Sequence, residues 1–161
     1  MVICIGTDPA SPISINFIKV KNTKSIPTKL IAPCGMNCRL CWGYIRDKNT
    51  CPGCRCLEAH ESQKSQHRTT CILKNCEHNV GGITKYCSEG CGSFPCARLK
   101  GLDKRYREKY GMSMIDNLSV INASGIRHFI RSEKEKWACP KCGELICVHK
   151  PACLSCGYKW N

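Results

Sequence analysis

The chain has 161 residues, enough for one ordinary domain or two small ones, and 17 of them are cysteine. Setting the cysteines aside cuts the 42% apolar fraction to about a third of the chain, too little for a sizeable core without sulfur or metal staples. The formal charge is +13, which three four-thiolate zinc sites would lower to roughly +7, so a basic surface persists with or without metal. No stretch approaches the ~18 apolar residues of a membrane span and no leader pattern opens the chain, which predicts a cytoplasmic protein with no membrane partner. In that reducing compartment clustered thiols are metal ligands rather than disulfides, and the odd cysteine count agrees.

Residues 1–30 form an N-terminal extension. Ile13, Ile15 and Phe17 alternate with Ser14 and Asn16 as in a half-buried strand, and a polar linker containing Pro27 follows. Residues 31–96 are a cysteine-rich metal-binding module with eleven cysteines between Cys34 and Cys96, punctuated by Gly35, Pro52-Gly53, Gly81-Gly82 and Pro95. Loops and knuckles are expected there.

The cysteine-free segment 97–136 is helical. Leu99, Leu102, Tyr106 and Tyr110 mark one face of a first helix, started near Pro95 and stopped by Gly111. Ser113 is an N-cap for a second helix that buries Ile115, Leu118 and Ile121. A third, from about Ser124 to Glu135, turns Ile126, Phe129 and Ile130 inward.

Residues 137–161 carry the strongest signal, Cys139-x2-Cys142-Gly and, after ten residues, Cys153-x2-Cys156-Gly. Two thiols two residues apart reach one metal from a tight turn whose N–H groups point at sulfur, and the following glycine accepts positive φ. Two such turns complete a zinc ribbon. Cys147 and His149 fall inside its hairpin and read as spectators more readily than as ligands of another site.

In the N-terminal module Cys38, Cys41, Cys51 and Cys54 have the pairwise spacing of a closed zinc site. Cys34, Cys71, Cys76, Cys87, Cys91 and Cys96 can furnish a second, although spacing alone does not fix the partition. About three zinc ions are expected in all. Iron–sulfur clusters also take four thiolates, so a cluster in the N-terminal module is the alternative. Cys4 and Cys56 are left without a role. Cys34-x3-Cys38-x2-Cys41 has the spacing of a radical SAM cluster, but too little chain follows for the barrel such enzymes need. Cys51-Pro-Gly-Cys54 lacks the βαβ context of a redox dithiol, and His67 and His78 read as exposed residues or occasional ligands rather than partners of a nucleophile. With no phosphate loop, serine elbow or carboxylate pair, no catalytic residue is assigned.

The order Ile31-Ala-Pro-Cys34-Gly-Met-Asn-Cys38-Arg-Leu-Cys41, Cys51-Pro-Gly-Cys54-Arg, Tyr86-Cys87-x3-Cys91-x2-Phe94-Pro95-Cys96 and Leu102-Asp-Lys-Arg-Tyr106 resembles a prokaryotic family of small cysteine-rich proteins defined only as a domain of unknown function. The resemblance covers roughly residues 31 to 156. It implies a metal-binding module, taken to carry zinc, and no assigned activity.

The first helix also carries Arg98, Lys100, Lys104, Arg105, Arg107 and Lys109 against Asp103 and Glu108. Such a face can neutralise phosphates, with Tyr106 and Tyr110 either stacking on bases or turned into the core. The sequence thus predicts a small metal-stapled α+β protein, a cysteine-rich knuckle module, short helical bundle and C-terminal zinc ribbon. Its expected role is a non-enzymatic binding module for nucleic acid or a ribonucleoprotein or protein complex. The competing role is an iron–sulfur redox or accessory protein serving a larger enzyme.

Overall fold

The computed structural model describes residues 25–55, 71–78 and 85–160. The strand expected at residues 13–17, together with Cys4, Cys56 and His67, lies outside them. The described chain is mostly helical. α1 (Trp42–Ile45) is a single turn, α2 spans Ala97–Tyr110, and α3 spans Met114–Lys136, with 3-10 turns at Thr28–Leu30 and Cys38–Leu40. The β part of the expected α+β class reduces, among the described residues, to three isolated antiparallel bridges, Ile31 to Asn37, Ala138 to Leu145 and Ala152 to Lys159. Each brackets a cysteine turn, because a tight knuckle returns the chain alongside itself for only one pair of residues.

The helical segment follows its sequence signals. Gly111 ends α2 in the left-handed region at φ 61°, and its N–H reaches the carbonyls of Arg107 and Tyr106. The Ser113 hydroxyl accepts the Asp116 N–H at 3.0 Å and caps α3. The second and third expected helices are the two halves of α3, which meet at Gly125, where φ 79° and ψ 162° break the helical path. Leu99 of α2 and Met114, Leu118, Ile121 and Phe129 of α3 are buried, while Leu102, Tyr106 and Tyr110 are half-buried.

These helices share one apolar cluster with both cysteine-rich ends, including Leu30, Ile31 and Leu40 on one side and Trp137, Ile146 and Val148 on the other. Buried polar groups fix how the pieces meet. Asn37 donates to Glu133 Oε2 at 3.0 Å and the Trp137 indole N–H to Oε1 at 3.0 Å, so one carboxylate joins the N-terminal module, the end of α3 and the start of the C-terminal segment. Burial pushes the Glu133 carboxyl above its usual range, partly offset by those two donors. Asn117 donates to the Gly35 carbonyl at 2.9 Å. Gly35 is required there: at φ 85° a Cβ would lie 2.6 Å from the Met114 carbonyl oxygen and 2.9 Å from Leu118 Cγ.

A second carboxylate fastens α2 to α3. Asp103 is buried and accepts the Ser113 hydroxyl at 2.7 Å, the Ile115 N–H at 3.0 Å and the Arg107 guanidinium at 3.2 Å. Burial opposes its charge, but the Ile115 N–H, the Ser113 hydroxyl and Arg107 together outweigh it and hold the carboxyl below its ordinary range. A depressed folded pKa stabilises the fold above the unfolded pKa of about 3.9 and loses that contribution as pH falls through the folded value. Asp103→Asn is therefore expected to cost about 2 kcal/mol at pH 7. Paired urea titrations should show the gap between the two proteins closing below about pH 4. A gap that persists unchanged in acid would contradict an ionised Asp103.

Candidate metal centre

The C-terminal segment folds as two turns with the same hydrogen-bond pattern. In the first, the Cys139 N–H donates to the Glu144 carbonyl at 2.7 Å and the Gly143 N–H to the Cys139 carbonyl at 2.8 Å. In the second, Cys153 pairs with Tyr158 at 2.8 Å and Gly157 with Cys153 at 2.9 Å. Gly143 and Gly157 adopt φ of 72° and 73°, the positive values expected of glycines closing such turns.

The turns face each other sulfur to sulfur. Cys139 and Cys156 Sγ are 3.7 Å apart, Cys142 and Cys153 Sγ are 3.6 Å apart, and all four sulfurs lie within 4.8 Å of one another. With metal–sulfur bonds of about 2.3 Å, the edge of a tetrahedral four-thiolate zinc site is roughly 3.8 Å. The quartet could therefore hold a metal ion with little adjustment. A disulfide needs about 2.05 Å, and none of the fifteen described cysteines is bridged.

The protonation pattern suits a cation. Burial opposes ionisation of Cys139, but the N–H groups of Cys142 and Lys141 and hydrogen bonds from Cys156 and Cys142 outweigh it and bring the thiol down to about 7. The Tyr158 N–H favours the Cys156 thiolate, yet burial and its bonds to the other three cysteines push it up to about 12. Burial likewise raises Cys153. Cys139 carries charge readily while Cys153 and Cys156 resist adding more, a conflict that a divalent ion at the centre would remove.

The N-terminal cysteines, whose partition the spacing left open, line two cavities. Cys34, Cys38, Cys41, Cys51, Cys54 and Cys71 line one cavity of about 370 Å³. Cys76, Cys87, Cys91 and Cys96, with His78, line a separate cavity of about 20 Å³ between Leu73 and Leu99. Cys34 and Cys71 thus stand with the first group. The reason is tertiary: Gly35 docks on α3 and brings the first knuckle over the 71–78 segment, which spacing along the chain cannot show. A hydrogen bond to Cys54 and burial raise the Cys38 thiol, and burial with Cys54, Cys87 and Cys71 nearby raises Cys34.

His149 and Cys147 are built into this region. The Trp42 N–H donates to His149 Nδ1 at 3.3 Å, which leaves the ring proton on Nε2, 3.1 Å from the Tyr106 hydroxyl. Tyr106 and Tyr110 pack edge-on against the same ring, with centroids 5.6 and 4.7 Å away, so the tyrosines face the protein. Cys147 is fully buried. Its turn is closed by the Lys150 N–H, which donates to the Cys147 carbonyl at 3.0 Å.

The six basic residues of α2 are all exposed, with distinct surroundings. Arg107 is held by Asp103, Ser113 and Asp116 at 3.2, 2.8 and 3.4 Å, and Lys104 pairs with Glu108 at 3.9 Å. Arg98 and Arg105 border the six-cysteine cavity. No helix among the described residues is long and apolar enough to cross a membrane. Comparisons with protein-family models, curated proteins and solved structures found no match for this chain.

Proposed function

We propose that the chain is a non-enzymatic, multi-site zinc protein whose C-terminal segment is a zinc ribbon. In this reading the metal-fixed scaffold presents the basic face of α2 to nucleic acid, alone or within a ribonucleoprotein or protein complex. The observation that carries the metal reading is the four-sulfur cluster of Cys139, Cys142, Cys153 and Cys156, whose spacing matches a closed thiolate site. Cys76, Cys87, Cys91 and Cys96, which border one cavity of about 20 Å³, are the cysteines this reading assigns to a second ion. Membership of the cysteine-rich family named above belongs to the same reading.

Because the tyrosines of α2 are committed to His149, recognition would run through phosphate contacts rather than base stacking, and would be indifferent to sequence. Lys100, Lys104, Arg105 and Lys109, with Arg98, are the cations for that role. Arg107 is bound into the α2–α3 junction.

A second reading has its own support. A cavity of about 370 Å³ walled by six cysteines and bordered by Arg98 and Arg105 has room for more than one ion, and the arginines would offset the negative charge of a thiolate-bound cluster. Under it the N-terminal module holds an iron–sulfur cluster and serves redox or accessory chemistry in a larger enzyme.

Metal analysis of protein isolated without oxygen separates the two. About three or more zinc ions per chain in colourless protein is the result expected. Iron with sulfide and broad absorption near 400 nm would move the N-terminal module to the cluster reading, and less than one ion per chain would end both. For the basic face, affinity for single-stranded nucleic acid should fall steeply with added salt. It should fall about tenfold or more when Lys100, Lys104 and Arg105 become Glu, as titrations at two salt concentrations would read. Affinity unchanged by both would remove the nucleic-acid proposal.

A further inference from the structure

The C-terminal end of α2 opens onto a cavity of about 760 Å³, within the range of roughly 300 to 1,000 Å³ typical of ligand sites. Its other wall is the loop between the two ribbon turns, and no described cysteine lines it. The buried part of the lining is apolar and fixed. Trp137, Ile146 and Val148 form it, with the Ile146 N–H on the Trp137 carbonyl at 3.0 Å and the Val148 N–H on the Leu40 carbonyl at 3.0 Å.

Two further rings line the cavity. Tyr110 is locked edge-on against His149, with centroids 4.7 Å apart. Trp160 packs against the apolar cluster yet is only half-buried, and its backbone N–H is anchored on the Pro151 carbonyl at 3.3 Å. The other two tryptophans each carry a lysine over the ring, Lys150 on Trp42 at 4.0 Å and Lys136 on Trp137 at 5.0 Å. Among the described residues no cation or aromatic ring stacks on Trp160. A planar group entering the cavity therefore finds one anchored indole and a dry bed beside it.

The charge around the cavity is positive. Arg107, Lys109 and Lys150 stand against a single acid, Glu108. Arg107 is already held by Asp103 and Asp116, and Glu108 lies 3.9 Å from Lys104, so Lys109 and Lys150 carry the excess. Lys109 is also the last cation of the α2 face assigned above to phosphates, and a strand followed along that face arrives at this cavity.

From this continuity we infer that the cavity receives one base of a single-stranded nucleic acid, stacked on Trp160, with the adjoining phosphates at Lys109 and Lys150. The inference rests on the nucleic-acid reading above and adds to its phosphate contacts one place where a base is held. Every base has a face to stack, so binding stays indifferent to sequence. An acidic peptide meets the same lysines, but the continuity with the basic face of α2 favours a strand.

Two oligothymidylates of equal length, one intact and one abasic, offer the same phosphates and are titrated against the full chain at two salt concentrations. The intact strand should bind about tenfold more tightly, with the same dependence on salt. Trp160→Leu should abolish that difference and Trp160→Phe should keep most of it, whereas Lys109→Glu should weaken both strands. Equal affinity of the two strands for the unaltered protein, or a difference that survives in Trp160→Leu, would overturn the base site and leave the phosphate reading standing. Polyglutamate that displaces the intact strand as well as unlabelled strand does would overturn it in favour of an acidic peptide. Binding of neither strand would overturn the nucleic-acid reading itself.

Discussion

Thiolates packed at 3.6 to 3.7 Å cannot all keep their charge, and thiols packed so closely with backbone N–H groups aimed at sulfur are poorly arranged as neutral groups. A divalent ion resolves both problems, since it cancels the repulsion and uses the preorganised donors. Each closed site of this kind is worth on the order of 10 kcal/mol at neutral pH, comparable to the whole net stability of a typical domain. Under the proposed metal reading the rest of the structure can be slight. One modest apolar cluster is spread from Ile26 to Cys153, and the helices supply its most regular wall.

Beside the cysteine turns, a few buried polar groups organise the fold. Glu133 ties three parts of the chain through Asn37 and Trp137, and Asp103 closes the α2–α3 corner. These carboxylates respond oppositely to acid, since Glu133 is pushed toward its neutral form and Asp103 toward its charged one. As pH falls the stabilisation from Asp103 is therefore lost, whereas protonation of Glu133 is favoured by the fold and removes none by linkage.

The parts legible in the sequence are those whose determinants are local. Ser113 and Gly111 sit within a turn of the helix ends they define, and the two Cys-x2-Cys-Gly turns lie fourteen residues apart, so their spacing alone brought the quartet together. The grouping of the N-terminal cysteines was not legible, because it depends on Gly35 meeting α3 some eighty residues away. Asp103 read as a counter-charge on a basic face and proved to be a buried junction. Cys147, read as a spectator inside the hairpin, is fully buried beside the point where the Val148 N–H meets the Leu40 carbonyl, a contact across the fold.

The role proposed for metal is structural. The most direct measurement is thermal unfolding of the full chain followed by circular dichroism, before and after exhaustive removal of metal with a strong chelator under reducing conditions. Loss of the cooperative transition, with recovery when zinc is returned, is the predicted result. A metal-free chain that keeps its helical signal and melts cooperatively at the same temperature would contradict it.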